Sequence, residues 1–192
     1  MASLPQALDR QLARLGTKLL IPPLLLLPAW LQELVDQLVF RGQWNLPMVP
    51  GGPWWGVLTA PFSHGGFGHL LGNSLMFLPL SWLVLLRGRR DYLAVWIAVL
   101  LCAVPLWLWW PVGSHGLSGV IYGLLGYLLL IGWLEKRPFT LLLSTGCLVL
   151  YGGALTGLVP LFTPAGVSWI GHFSGFCGGV LAALAVHREQ GA

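Results

Sequence analysis

The sequence predicts an all-α protein, a helical bundle that crosses the membrane six times. Of its 192 residues, 56% are hydrophobic and only 8% are charged, whereas a soluble domain of this length needs far more charge to cover its surface. The ten Lys and Arg side chains fall in short clusters between long apolar runs, which is the pattern of a polytopic membrane protein. The net charge of +4 therefore reflects topology, and no nucleic-acid partner is predicted.

The first predicted span comprises residues 19–40 and follows a short basic segment, residues 1–18. As a helix rising about 1.5 Å per residue, it is long enough to cross a bilayer. Glu33 and Asp36 lie in its outer half, so we expect this end to face protein or the interface instead of lipid. A cleaved signal peptide is the alternative, but no small-x-small cleavage site stands out. Three prolines are expected to interrupt the span: Pro22, Pro23 and Pro28.

The next segment, residues 41–66, is rich in Gly, Pro and Trp and is predicted to form a long connection in the membrane interface. The remaining five spans are predicted at residues 67–86, 92–110, 117–134, 139–159 and 167–186. Short connections join them, and no stretch has the composition of a linker. Residues 1–192 are therefore predicted to form one domain.

The distribution of basic residues predicts the orientation in the membrane. If the N-terminus is cytoplasmic, nine of the ten Lys and Arg residues lie inside and only Arg41 lies outside, as the positive-inside rule requires. Both termini are therefore predicted to be cytoplasmic. This topology places Ser118, at the start of the fourth span, and His172, one turn into the sixth, at a similar depth just below the outer surface.

Ser118 is a candidate nucleophile because it lies in the small-residue turn Gly-Leu-Ser-Gly, residues 116–119, at the mouth of a span. A bare hydroxyl is a poor nucleophile, so this interpretation requires a base, and His172 is the candidate. Small residues three or four positions apart let helix backbones approach closely. Such faces begin beside both candidates, although helix packing without a site is the alternative interpretation. The glycines concerned are Gly119, Gly123 and Gly126 on the fourth span and Gly171, Gly175 and Gly179 on the sixth.

Two polar residues share one face at the outer end of the second span. His69 and Asn73 are four residues apart in a helical segment, and buried polar groups at membrane depth usually have a function. They are candidate donors to a developing oxyanion, an interaction that often lowers a barrier by several kcal/mol. The alternative is a structural role in which they bind loop carbonyls.

Other hydrolytic mechanisms find little support in the sequence. It has five histidines but no His-Glu-x-x-His motif, and no glutamate is expected beside an outer-face histidine, so neither a metal nor another cofactor is predicted. An aspartyl pair is excluded because only Asp36, among the aspartates, is predicted within a span. No carboxylate is expected to orient His172, which predicts a Ser-His dyad instead of a triad. The cysteines are interpreted as packing residues: Cys102, Cys147 and Cys177.

These residues resemble the rhomboid intramembrane serine proteases, and the resemblance covers all six spans. Three motifs carry it: Gly-x-Ser-Gly with a Tyr four residues after the serine, His-x-x-x-Asn preceded by a His five residues earlier, and a His followed by Gly-x-x-x-Gly. The resemblance implies that Ser118 attacks and that His172 is the base. It further implies an oxyanion hole formed by His69, Asn73 and the Ser118 backbone amide. The implied supporting residues are Tyr122, His64, Gly116, Gly119 and Gly175, with Tyr122 packed against the imidazole and His64 stabilising the first loop.

One position departs from the family pattern. The first loop of rhomboid proteases contains a Trp-Arg pair, which here is Trp55-Gly56. The loop must therefore be anchored without that arginine, and we expect Gly56→Arg to be tolerated or even stabilising.

The resemblance implies an enzyme that cleaves single-span membrane proteins near the extracytoplasmic end of their transmembrane segment, with no cofactor. Its partners would be a transmembrane substrate and the lipid bilayer, and the six-span core, typical of bacterial members, implies the inner membrane with the active site open to the extracytoplasmic side. The oligomeric state, the natural substrate and the processing of a dedicated sorting signal stay open. The alternatives are a non-proteolytic rhomboid-like protein that binds transmembrane helices and, less favoured, a small transporter.

Overall fold

In the computed structural model, the backbone of residues 4–191 and the side chains of residues 15–189 are described. The helices are α1 Leu4–Val35, α2 Gly56–Thr59, α3 Phe67–Arg87, α4 Arg89–Trp109, α5 Ser118–Glu135, α6 Pro138–Tyr151 and α7 Trp169–Gly191. Within the described residues no β-strand is present, and all helices except the short α2 are apolar and long enough, with the turns that extend α1 and α6, to span a membrane. The predicted all-α bundle of six spans is thus confirmed.

The first and fifth spans differ in detail from the prediction. The three prolines of α1 do not interrupt the helix, which is continuous from Leu4 to Val35 and ends in a π-helical turn, Asp36–Phe40. Within a bilayer, neighbouring helices and local adjustment satisfy the backbone groups that a proline frees, so the chain stays helical. In the fifth span, α6 gives way to a 3₁₀ segment, Gly152–Leu158, where glycines lower the helix propensity. The side chains of Arg10 and Arg14, used to predict the orientation, lie outside the described residues.

Helix α5 forms the centre of the bundle and packs against α3, α4, α6 and α7. A helix that is hydrophobic on all sides belongs in the interior, and the side chains of α5 follow this rule. Leu124, Tyr127 and Ile131 are all fully buried. Because Ser118 is the first residue of α5, the central position of the helix places this serine within the bundle, where it is half-buried.

The contact between α5 and α7 is made by glycine backbones. A Cβ atom built at Gly175 would overlap the carbonyl of Gly119, and one built at Gly179 would overlap the carbonyl of Gly123. These pairs confirm the predicted small-residue packing of the fourth and sixth spans. A Cβ at Gly119, in contrast, would make an ordinary 3.5 Å contact with the carbonyl oxygen of Gly171. The close approach therefore depends on Gly175 and not on Gly119.

A buried cluster of charges lies at the end of the bundle opposite Ser118. Arg87, at the end of α3, pairs with Asp91 of α4 and Glu135 of α5, and Tyr127 donates a hydrogen bond to Asp91. The prediction that Asp36 is the only aspartate within a span is wrong, because α4 begins at Arg89 and so includes Asp91. The arginine neutralises this carboxylate, which explains why it can be buried.

Candidate active site

Ser118 and His172 are brought together by the packing of α5 on α7. The distance from His172 Nε2 to Ser118 Oγ is 3.0 Å, and His172 Nδ1 lies 3.0 Å from the carbonyl oxygen of Gly157. A carbonyl only accepts hydrogen bonds, so Nδ1 must carry the proton and Nε2 is left to accept from the serine hydroxyl. The tautomer suited to a general base is therefore selected by a backbone carbonyl, where a triad would use a carboxylate.

The Tyr122 ring stacks on the face of the His172 imidazole and fixes its orientation. The two rings stack with centroids 4.2 Å apart and planes inclined by 16°, and the tyrosine hydroxyl donates a 2.6 Å hydrogen bond to the carbonyl of Ala154. A side chain at Gly157 would collide with that hydroxyl. Sequence reasoning missed Ala154 and Gly157, whose contribution is made by backbone atoms of the 3₁₀ segment. The only feature of the sequence that could have indicated this contribution was the glycine content of the segment.

His69 and Asn73 both lie against Gly116, in the turn that precedes Ser118. A Cβ built at Gly116 would lie 3.0 Å from Cε1 of His69 and 3.6 Å from Nδ2 of Asn73. Gly116 has φ +110°, a conformation that residues with a Cβ rarely adopt. The Nδ2 atom of Asn73 is buried and has no hydrogen-bond partner, so this amide is an unsatisfied donor beside the serine turn.

His64 supports the same turn from the loop before α3. Its side chain is fully buried, and its Nε2 atom accepts a 3.3 Å hydrogen bond from the backbone N–H of Leu117. Burial, reinforced by the nearby imidazoles of His69 and His115, lowers the pKa of His64 to about 4. His64 is therefore neutral at pH 7, as its role as an acceptor requires.

The first loop is anchored by hydrogen bonds to the segment that precedes the serine turn and to the end of α4. Met48 and Ser114 exchange two backbone hydrogen bonds of 2.9 Å each, and the Trp107 indole donates to the carbonyl of Gly52. Gly56, where an arginine was expected to be tolerated, is buried. A Cβ at this position would lie 3.2 Å from Cα of Met48 and from the carbonyl oxygen of Pro47. The backbone therefore occupies the space that a side chain at residue 56 would need, which argues against that expectation.

Two residues of the site region were not predicted from the sequence to belong to the site. His115 lies beside Gly65 and lines a cavity together with Ser118 and His172, and burial lowers the pKa of His115, helped by nearby His69. Its position three residues before Ser118 was the available signal. Glu33 of α1 is fully buried and interacts electrostatically with His69. The expectation that no glutamate neighbours an outer-face histidine is therefore wrong.

Packing of α1 on α3 explains this neighbour. The Trp30 indole donates a 3.2 Å hydrogen bond to Ser74 Oγ, and this contact brings the outer end of α1 against the first turns of α3. As predicted, Glu33 and Asp36 at this end are shielded from lipid, and both are fully buried. Their inward orientation depends on the rotation of α1 about its axis, which the sequence alone does not fix.

Two cavities meet at Ser118. The larger, of about 390 Å³, is lined by polar groups that include His69, His115 and Ser168. The smaller, of about 60 Å³, is mostly apolar and is bounded by residues such as Met48 and Gly175. Among the side chains of residues 15–189, no group of three His, Cys, Asp or Glu is arranged to hold a metal ion. The arrangement can thus activate a serine hydroxyl between a polar chamber and a small apolar pocket.

Comparison with known proteins identifies the family of this chain. The Rhomboid domain family matches residues 51–189, a range that includes both Ser118 and His172. The uncharacterized protein Rv1337 of Mycobacterium tuberculosis is 36% identical over 173 residues, which cover 84% of this chain and 72% of that protein. The Rhomboid protease GluP of Bacillus subtilis is 28% identical, over 79% of this chain and 30% of its own length. The putative rhomboid protease YdcA of the same organism is also 28% identical, over 74% of this chain and 72% of its own length. The chain belongs to the rhomboid family.

Proposed function

We propose that the protein is an intramembrane serine protease in which Ser118 is the nucleophile and His172 the general base. The observation that carries this proposal is the 3.0 Å contact between Ser118 Oγ and His172 Nε2, combined with the Nδ1 contact to the Gly157 carbonyl. An adjacent base is what a serine hydroxyl needs to become a useful nucleophile. Stacking on Tyr122 keeps the imidazole oriented when no substrate is bound.

The reaction follows from these positions. His172 Nε2 takes the hydroxyl proton while Ser118 Oγ forms a bond to the carbon of the scissile carbonyl. His172 then gives the proton to the leaving amine as the carbon–nitrogen bond breaks, which leaves an acyl-enzyme on Ser118. A water molecule activated by the same imidazole hydrolyses the ester. The polar cavity of about 390 Å³ supplies the space for this water.

Three groups are proposed to stabilise the oxyanion: the Ser118 backbone amide, Asn73 Nδ2 and the His69 imidazole. The first N–H groups of a helix have no intrahelical acceptor and carry the positive end of its dipole, and Ser118 is the first residue of α5. The Asn73 amide is buried without a partner. A donor that is unsatisfied in the resting enzyme gains its hydrogen bond only when the oxyanion forms, which favours the transition state over the ground state.

The substrate is proposed to be a single-span membrane protein cut near the extracytoplasmic end of its span. In a helix every backbone carbonyl is hydrogen-bonded, and hydrocarbon penalises its release, so the substrate must unwind at the polar cavity. Gly or Pro near the cut lowers this cost by about 1 and 3 kcal/mol relative to Ala. The pocket beside Ser118 holds only about 60 Å³, which supports a small residue at the carbonyl side of the scissile bond.

The positive-inside rule supports an orientation with both termini in the cytoplasm. Arg89, Lys136 and Arg137 lie at the ends of α4 and α5 that are distant from Ser118, so the active site is proposed to open to the extracytoplasmic side. The bacterial origin of its rhomboid protease relatives supports the bacterial inner membrane as the location.

Labelling with a fluorophosphonate probe tests the proposal directly. We expect the purified protein to be labelled at one residue, Ser118, as mapped by mass spectrometry. Ser174→Ala is the matched control, because Ser174 lines the small pocket but donates its hydroxyl to the carbonyl of Cys102. Labelling should persist in Ser174→Ala, disappear in Ser118→Ala and fall by at least tenfold in His172→Ala. A protein that only binds transmembrane helices would not react, and absence of labelling would overturn the proposal.

The substrate geometry needs a separate experiment. For a substrate that is cleaved, the cut is mapped by mass spectrometry, and Gly and Pro residues in the outer half of its span are replaced with Leu. We expect these replacements to reduce cleavage strongly. We expect the same loss of cleavage when the residue that donates the scissile carbonyl is enlarged from Ala to Leu. Undiminished cleavage, or a cut near the cytoplasmic end, would contradict the geometry while leaving the dyad untouched.

A further inference from the structure

A lipid-facing groove lies between α1 and α4, at the end of the bundle opposite Ser118. Both helices pack on α3 but are largely separated from each other, and the space between them has a volume of about 480 Å³. Its walls are apolar and include Leu24, Leu93 and Trp96. Leu24 and Leu93 are more than half exposed, so the groove is open along its length to the hydrocarbon of the membrane.

A basic residue with no carboxylate partner lies at one end of this groove. Arg89 lines the groove, and its neighbours in the sequence are already paired: Arg87 with Asp91 and Glu135, and Arg90 with Glu189. Among the residues whose side chains are described, no carboxylate lies within ion-pair distance of Arg89. Its guanidinium is therefore available to an anion from outside the chain.

A second cation reinforces this end of the groove. Lys18 precedes Ile21 by three residues on α1, so the two side chains share one face of the helix, and Ile21 lines the groove. Ile21 and Arg89 line the groove from its two walls, and Lys18 lies one helical turn before Ile21. An apolar channel lined by one unpaired guanidinium, with a lysine one turn away on the facing helix, matches a molecule with a hydrocarbon chain and an anionic head.

We propose that this groove binds one anionic phospholipid of the cytoplasmic leaflet. An acyl chain lies between α1 and α4, and the phosphate contacts the Arg89 guanidinium, with Lys18 nearby. Basic pockets between transmembrane helices on the cytoplasmic side are suited to anionic head groups. Phosphatidylcholine also offers a phosphate, but it brings a quaternary ammonium close to the same two cations. Phosphatidylglycerol should therefore bind about tenfold more tightly than phosphatidylcholine with identical chains.

The bound lipid would complete the packing of the first span. The match to the Rhomboid domain family begins at residue 51, so α1 lies outside it, and α1 contacts the bundle chiefly through α3 and the turn Ala60–Phe62. A lipid in the groove adds an indirect contact between α1 and α4. Because a ligand that binds only the folded state raises its stability, phosphatidylglycerol should also raise the melting temperature.

The test is a lipid titration of the purified full-length protein in detergent, read by native mass spectrometry. Dioleoylphosphatidylglycerol and dioleoylphosphatidylcholine are compared on the unmodified protein, on Arg89→Ala and on Arg188→Ala. Arg188 is the matched control because it is an exposed arginine at the end of α7, so its removal changes the net charge equally. We expect the preference for phosphatidylglycerol to fall to about twofold or less in Arg89→Ala and to persist in Arg188→Ala. An unchanged preference in Arg89→Ala, or an equal loss in Arg188→Ala, would overturn the proposal.

The groove itself is tested by filling it. Leu24→Trp and Leu93→Trp enlarge exposed side chains on opposite walls, so the fold should persist, and each should weaken phosphatidylglycerol binding at least fivefold. Retention of one tightly bound lipid by both variants would contradict the assigned position. Ser118→Ala should bind the lipid as the unmodified protein does, which separates this site from the proposed protease activity.

Discussion

Gly175 of α7 lies directly against the backbone carbonyl of Gly119 on α5, with no room between them for a methyl group. Gly175→Ala should therefore force the two helices apart. Overpacking of this kind costs about 1–3 kcal/mol of unfolding free energy, and here the neighbour is backbone, which cannot rotate away. We expect lower thermal stability in detergent together with a loss of most substrate cleavage, because the same displacement separates Ser118 from His172.

Gly119→Ala is the matched control for this prediction. A Cβ at Gly119 would make only a 3.5 Å contact with Gly171, so this variant should keep its melting temperature to within a few degrees. An equal fall in melting temperature in the two variants would show that the close contact at Gly175 does not determine how the helices pack.

The partnerless amide of Asn73 predicts an unusual combination of effects. Asn73→Ala should lower kcat by about 10²–10³ and leave KM nearly unchanged. The unfolding free energy should also hardly change, because Asn73 Nδ2 makes no hydrogen bond in the resting protein. Ser74→Ala should show the opposite pattern: its hydroxyl accepts from Trp30 and donates to the carbonyl of Leu70, so stability should fall by about 1 kcal/mol with kcat preserved. If Asn73→Ala raised KM and left kcat unchanged, Asn73 would contribute to substrate binding and not to oxyanion stabilisation.

Arg87 and Arg90 form ion pairs in very different surroundings. The side chains of Arg87 and Glu135 are 8% and 4% exposed, whereas those of Arg90 and Glu189 are 72% and 54% exposed. Arg87→Met leaves two buried carboxylates without a cation and should cost about 3–5 kcal/mol. Arg90→Met should cost no more than about 1 kcal/mol. Unfolding in mixed micelles with increasing denaturing detergent measures both values, and similar costs would contradict the burial of the Arg87 cluster.

The buried imidazole of His64 predicts a loss of stability in mild acid. Its pKa is lowered to about 4 by burial and by the neighbouring His69 and His115, against about 6.5 in the unfolded chain. The unfolded state therefore takes up the proton first as the pH falls. The stabilisation is complete above about pH 6.5 and is lost progressively toward pH 4, by about 2 kcal/mol between pH 8 and pH 5.

His64→Gln provides the comparison for this pH dependence. The difference in unfolding free energy between pH 8 and pH 5 should be about 2 kcal/mol smaller in this variant than in the unmodified protein. The same difference in both proteins would assign the pH sensitivity to other groups.

Gly56→Arg tests the path of the first loop. With Met48 and Pro47 backbone atoms 3.2 Å from the Cβ position, the variant should unfold at a lower temperature than Gly68→Arg, because Gly68 is exposed in the first turn of α3 and a Cβ there meets nothing within 4 Å. Full stability of Gly56→Arg would indicate that residues 47–48 lie elsewhere.

The fold was predictable because its signals are local. Runs of apolar residues long enough to span a bilayer, and clusters of charge between them, are visible in any single stretch of sequence. The small-residue faces of the fourth and sixth spans also predicted which helices meet, as the Gly175 contact confirms. The proline-rich first span was harder, because a proline removes a hydrogen bond locally while the surrounding bundle decides whether the helix continues.

Parts of the site could not be predicted because they depend on tertiary geometry. The hydrogen-bond partner of His172 Nδ1 is a backbone carbonyl, that of Gly157, and every residue has such a group, so no side chain reveals it. Glu33 comes close to His69 through the rotation of α1 on α3, fixed by contacts such as the hydrogen bond from Trp30 to Ser74. Motif spacing carries no information about such a rotation.

The glycine interface between α5 and α7 also determines how heat would affect the relative positions of Ser118 and His172. The distance between Ser118 and His172 is held by two backbones in direct contact, at Gly119 with Gly175 and at Gly123 with Gly179. Rotamer changes loosen most side-chain interfaces gradually on warming. They have little effect on this interface, because glycine backbones have no side chains that could change rotamer. The 3.0 Å contact between Ser118 and His172 would then persist until the two helices separate as a unit, so that its loss on heating follows the cooperative unfolding of the bundle and not a gradual decline before it.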